Sequence, residues 1–88
     1  MKEVNRAVIE KYGKELQTFV AIEEMAELTK ELSKDMRGEK NRDQIIEELA
    51  DVYICLDQLK IMHDISLNEI VTMMNKKLER TAERLMHD

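Results

Sequence analysis

No proline interrupts this chain, and its two glycines, Gly13 and Gly38, stand where helices would have to stop. A sequence without helix breakers and without low-complexity tracts is expected to be almost wholly helical, with short connections. The spacing predicts a first helix over about Lys2–Tyr12 and a second from Lys14 to Arg37. Gly38 is placed to end the second in a left-handed conformation behind the cationic Lys34 and Arg37. A third helix should begin near Asn41–Asp43, with Asn41 and Gln44 as a capping box, and reach Met62 or His63. Asp64-Ile65-Ser66 reads as the next break, and Ser66-Leu67-Asn68-Glu69 as a capping box opening a fourth helix to about Leu85 or Met86. The fold class is therefore all-α: helical hairpins forming a four-helix-bundle-like core, in a single domain over residues 1–88.

Eighty-eight residues bury a modest fraction of their surface, and no disulfide can be made from the single Cys55. The only aromatic residues are Tyr12, Phe19 and Tyr53, so the core falls to Leu, Ile, Val and seven Met. These features point to a homo-oligomer, a dimer or tetramer, that completes the bundle. Phe19 and Tyr53 are expected to pack between helices, and Cys55 to act as a small apolar filler in a reducing compartment. A net charge of −5 argues against a nucleic-acid polymer as partner. No apolar run is long enough to span a membrane, and the N-terminus lacks the apolar segment of a signal peptide, so the expected location is cytoplasmic.

The third helix has an apolar stripe of Ile45, Leu49, Val52, Leu56 and Leu59, with Ile46, Ala50, Ile54 and Ile61 on much of the opposite side. A helix apolar nearly all round is expected to be buried between partners. Glu48 and Asp51 lie beside that stripe, where an unpaired carboxylate requires a cation, a hydrogen-bond network or a proton.

Two acidic phrases nearly repeat: Glu23-Glu24-Met25-Ala26-Glu27-Leu28 and Glu47-Glu48-Leu49-Ala50-Asp51-Val52. In each, the second and third carboxylates stand one helical turn apart and face roughly the same way. Two packed helices could aim four such groups at one point, and their mutual repulsion, about 4 kcal/mol per pair at ~4 Å, calls for a hard divalent cation such as Mg²⁺. Other acidic groups, among them Glu10, Glu15 and Glu31, read as solvated stripes.

EExxE followed by ExxD resembles the signature of the MazG-like, all-α nucleotide pyrophosphohydrolase superfamily. The likeness extends to Asn75-Lys76-Lys77-Leu78-Glu79-Arg80, similar to the Asn-x-Lys-Phe-x-Arg segment of MazG proteins, with Leu78 in place of Phe and Thr81 where many members carry a second Arg. It covers roughly residues 15–82. The resemblance implies that Glu24, Glu27, Glu48 and Asp51 bind Mg²⁺, or Mn²⁺ in its place. It implies that Glu23 or Glu24 activates water, and that Asn75, Lys77 and Arg80 contact a nucleoside triphosphate. The implied reaction is metal-dependent hydrolysis of that nucleotide, a deoxynucleotide or a non-standard one, to a monophosphate and pyrophosphate. A di-iron carboxylate bundle is disfavoured because neither His63 nor His87 follows a Glu by three positions. A non-enzymatic helical module for oligomerisation or protein interaction remains the alternative.

Overall fold

The structure, a computed structural model, describes residues 1–87. Four helices follow one another: α1 (Lys2–Tyr12), α2 (Lys14–Met36), α3 (Arg42–Met62) and α4 (Leu67–His87). Among the described residues none is in a strand, and no helix is long and apolar enough to cross a membrane.

Local chemistry sets the breaks. Gly13 takes φ +91°, a conformation open to a residue without Cβ, and ends α1 while its N–H still reaches the Ile9 carbonyl at 2.8 Å. Gly38, also at +91°, closes α2: its N–H donates to Asp35 O at 2.9 Å, and Glu39 N–H to Lys34 O at 3.1 Å. That pair of bonds is a Schellman motif. Asp64, at φ +52°, repeats it after α3, with Ile65 N–H on Lys60 O at 2.9 Å and Asp64 N–H on Ile61 O at 3.2 Å. The Ser66–Glu69 capping box forms in both directions, Ser66 N–H to Glu69 Oε2 at 2.8 Å and Glu69 N–H to Ser66 Oγ at 3.1 Å. The box expected at Asn41 does not form, because its side-chain amide turns back to α2 and donates to Glu31 O and Glu31 Oε1 at 2.8 and 3.0 Å.

α2 and α3 make an antiparallel hairpin, and α1 packs across both. The seam inside this unit is polar. Beside Ala21 and Cys55, the most buried residues are Asn5, Gln17, Glu31, Asn41 and Gln58. A relay of amides ties α1 to the hairpin: Gln17 Nε2 donates to Gln58 Oε1 at 2.9 Å, and Gln58 Nε2 to Asn5 Oδ1 at 3.0 Å. Asn5 Nδ2 then donates to Asp57 Oδ2 at 2.7 Å, and Lys60 pairs with Asp57 at 3.5 Å. Each buried donor in the relay therefore has a partner.

The apolar residues lie mostly outside. α3, expected to be buried on both sides, buries only Cys55 and Gln58 in this chain, while Leu49 and Leu56 are 41% and 48% exposed. Phe19 and Tyr53, expected between helices, are exposed as well. α4 scarcely touches the other helices, and every residue from Val71 to His87 is exposed. Within one chain the packing therefore involves three helices, and the fourth stands clear. The radius of gyration, 16.2 Å, exceeds the roughly 12 Å of a compact chain of this length.

Candidate metal centre

The α2–α3 seam positions the carboxylates by heptad spacing. Gln17, Glu24 and Glu31 recur at seven-residue intervals on α2, and Asn41, Glu48 and Cys55 do so on α3, so each set lines one side of its helix. Because the helices run antiparallel, Gln17 meets Gln58 at one end of the seam and Glu31 meets Asn41 at the other. Glu24, Glu48 and Asp51 fall between, with one oxygen of each lying within 4.8 Å of the others. Glu24 and Glu48 are half-buried, and Asp51 is exposed at the mouth.

Electrostatics shows how poorly this trio tolerates its own charge. Burial, then the hydrogen-bonding approach of Asp51 and the charges of Asp51, Glu48 and Glu27, hold the Glu24 carboxyl above its ordinary range. Burial raises Glu48 too, followed by repulsion from Asp51, Glu27, Glu31 and Glu47. Glu48 Oε2 is buried and has no hydrogen-bond partner. An orphaned carboxylate oxygen among like charges is the reverse of the amide relay at the Gln17–Gln58 end of the seam.

The donor set is oxygen only and negatively charged, which suits Mg²⁺ or Mn²⁺ over softer ions. Octahedral Mg²⁺ with bonds of about 2.1 Å sets neighbouring oxygens about 3 Å and opposite ones about 4.2 Å apart, so the trio, with its oxygens within 4.8 Å of one another, would close slightly on a bound ion. A cation there would satisfy Glu48 Oε2 and cancel the repulsion that adds to burial in raising both glutamates. No family model, curated protein or solved structure matches this chain.

Of the four expected ligands, the structure brings together three. Glu27 is exposed and lies outside the trio, although its charge bears on both Glu24 and Glu48. Glu23 is exposed beside Glu24, about 100° further round α2. Asn75, Lys77 and Arg80 lie on the exposed length of α4, which does not pack along α2 or α3, so one chain does not assemble them with the carboxylates. A cleft of about 560 Å³ does exist, between α1, the end of α3 and the α4 elbow, but none of the three carboxylates lines it.

Gln17 and Gln58 are not singled out by the sequence, and two further residues of the seam take roles other than those it suggests. Glu31 is buried instead of solvated; the Asn41 amide first, and Lys34 at 3.2 Å, hold its carboxyl below the usual range. Its place seven residues after Glu24 is the signal that separates it from Glu15, while Glu10 shares the spacing but lies on α1, before the break at Gly13. Asn41 signals only a cap, and nothing local to it announces a bond ten residues back.

Proposed function

We propose that this chain hydrolyses a nucleoside triphosphate, a deoxynucleotide or a non-standard one, to the monophosphate and pyrophosphate, in a reaction dependent on Mg²⁺ or Mn²⁺. What carries the reading is the Glu24, Glu48 and Asp51 trio around the orphaned Glu48 Oε2. Its combination with the EExxE and ExxD phrases selects the reaction class; the trio alone supports only a cation.

Glu24 and Glu48, from facing helices, would hold the metal from inside the seam, with Asp51 closing the solvent side. The bound ion supplies charge neutralisation for the phosphates and a lowered pKa for a coordinated water. Glu23 is exposed beside this group and free to accept a proton from water, the role of a general base. Glu27 adds a negative charge at the rim and stands ready as a fourth oxygen donor. Lys77 and Arg80, three apart on α4, form a pair suited to phosphate oxygens.

The rival reading, a helical interaction module without catalysis, accounts for the exposed apolar faces. It offers no reason for an uncompensated carboxylate oxygen in the seam, where Gln or Leu would fold better. The deciding assay follows pyrophosphate and nucleotide products from a panel of ribo- and deoxynucleoside triphosphates, with Mg²⁺ and with chelator. Monophosphate and pyrophosphate formed together, only with metal and not by Asp51→Asn, is the expected result. Turnover that persists in Asp51→Asn would refute the assignment of the site. A panel without any turnover, from folded protein, would leave the interaction module.

A further inference from the structure

The cleft between α1, the end of α3 and the α4 elbow encloses about 560 Å³, within the roughly 300–1,000 Å³ usual for small-molecule sites, and no member of the carboxylate trio lines it. α1 contributes Lys2 and Arg6, four positions apart and so on one side of that helix. α3 contributes Asp57, Lys60 and Ile61, and the elbow adds Ile65 and Leu67. Ile61 is half-buried, whereas Ile65 and Leu67 are 41% and 61% exposed, so the walls offer apolar surface to an occupant as well as charge.

Formal charge does not choose the occupant: Lys2, Arg6 and Lys60 are matched by Asp57, Asp64 and Glu69. Hydrogen-bonding capacity does, because the acceptors are occupied and the donors are not. Asp57 Oδ2 accepts from the Asn5 amide at 2.7 Å, and Oδ1 pairs with Lys60 at 3.5 Å. Glu69 Oε2 accepts the Ser66 N–H at 2.8 Å and the Ser66 hydroxyl at 3.1 Å, so the start of α4 is already capped. Neither Lys2 nor Arg6 is in an ion pair among the described residues. A guanidinium with all its N–H groups to offer matches the oxygens of a phosphate or carboxylate in pairs. Since the lining as a whole is neutral, an oxyanion of low charge fits it better than a triphosphate, which would meet Asp57, Asp64 and Glu69 with no metal between them. The walls are fixed before anything binds. Asp57 is held from beneath by the amide relay through Asn5, Gln58 and Gln17, and the elbow by Ile65 N–H on Lys60 O at 2.9 Å.

We propose that this cleft is a second ligand site, separate from the carboxylate trio, for a small molecule that carries one phosphate on an apolar or aromatic body. The phosphate lies on Arg6 and Lys2, and the body lies against Ile61, Ile65 and Leu67. Lys60 stays on Asp57 and keeps that carboxylate from repelling the phosphate. The site requires neither the metal nor the triphosphate of the proposed hydrolysis.

The test is isothermal titration calorimetry in chelator, which leaves the trio without a cation, with adenosine monophosphate, adenosine, inorganic phosphate and adenosine triphosphate as probes. The monophosphate should bind about tenfold more tightly than adenosine or inorganic phosphate, each of which makes only part of the contacts, and at least as tightly as the triphosphate. Arg6 is exposed, so Arg6→Gln should fold as wild type does and weaken the monophosphate by about tenfold. Lys11→Gln removes the same charge from α1 outside the cleft and should leave the affinity unchanged. Equal weakening in Lys11→Gln would reduce the binding to general attraction by α1 and overturn the site. Wild-type affinity in Arg6→Gln would overturn it too, as would a monophosphate bound no better than inorganic phosphate, or not bound at millimolar concentration. Asp51→Asn, inactive by the hydrolytic reading, should bind the monophosphate like wild type. Failure here therefore leaves that reading standing, and failure of that reading leaves the cleft.

Discussion

One end of the helical seam and its middle treat buried polar groups in opposite ways. Where α1 crosses the hairpin, Gln17, Gln58 and Asn5 pass donors to acceptors in sequence and finish on the Asp57–Lys60 pair. Two turns of helix away, Glu24, Glu48 and Asp51 present only acceptors of one sign, and one of their oxygens is left over. Amides can satisfy each other; carboxylates without a cation or proton cannot. The relay is accordingly a structural device that fixes the register of three helices, and the trio is a cluster of like charges that the fold sustains at a cost in stability.

The sharpest way to break this contrast is to remove one carboxylate from the trio. Asp51→Asn should remain helical and lose turnover at least about 100-fold, since even indirect ligand support is worth 10- to 100-fold at metal sites. Steady-state pyrophosphate release beside circular dichroism reads both halves of the expectation, and an inactive but unfolded variant would place Asp51 with the structural residues.

Next in size is the effect of metal on stability. A cation that binds only the folded trio should raise stability by about 2.7 kcal/mol at 100 times its Kd, at fixed protein concentration. Thermal melts with Mg²⁺ and with chelator measure it. Glu48→Gln should melt no higher with Mg²⁺ than without, while Asn5→Ala should retain the full shift. A shift preserved in Glu48→Gln would remove that residue from the metal site.

Truncating the relay gives the converse result. Asn5→Ala leaves the Gln58 amide and one Asp57 oxygen without their partner, at a cost of about 1–3 kcal/mol for a buried polar group. Melting should fall by several degrees, with turnover by the remaining folded protein unchanged. Loss of turnover without loss of stability would contradict the division between relay and trio.

Acid and base should act on the trio and the relay separately. Glu24 and Glu48 have carboxyls raised in the folded chain, mainly by burial, so their contribution is fully present below the ordinary carboxylate value of 4.5 and is lost as pH rises through the raised values. Asp57 is lowered, chiefly by the Asn5 amide and then by Lys60, so its contribution is present above its ordinary value of 3.8 and is lost as pH falls below it. In chelator, melting temperature should therefore decline with rising pH above about 4.5, and Mg²⁺ should abolish the decline. A flat profile in chelator would mean that the trio is not repulsive.

Much of this arrangement can be read along the chain because it is local. Gly13, Gly38 and the Ser66–Glu69 box mark helix ends through backbone rules that need no tertiary information. EExxE and ExxD place Glu24, Glu48 and Asp51 on helix faces that two packed helices bring together. What the pattern hides is the partner of each face. Asn5 and Asp57 are 52 positions apart, and nothing in either helix announces their bond. The stripe of Leu49 and Leu56 marks a face to be covered, yet does not say whether the cover lies in the same chain. Glu27 and Glu31 illustrate the limit most closely: one turn apart on α2, the first is exposed and the second buried, because Asn41 turns its amide from the expected cap to Glu31.

The capping box at α4 supplies the smallest and cleanest comparison. Ser66 and Glu69 satisfy each other as completely as the relay amides do, but in exposed positions where water competes for the same groups. Burial, not the count of hydrogen bonds, should then set the cost of losing them. Ser66→Ala is expected to cost about 1 kcal/mol, the usual value for a lost helix cap, and should lower melting less than Asn5→Ala measured at the same protein concentration. If the two variants melt alike, the α4 elbow is held as firmly as the relay, and α4 bears weight that its exposure in the single chain does not reveal.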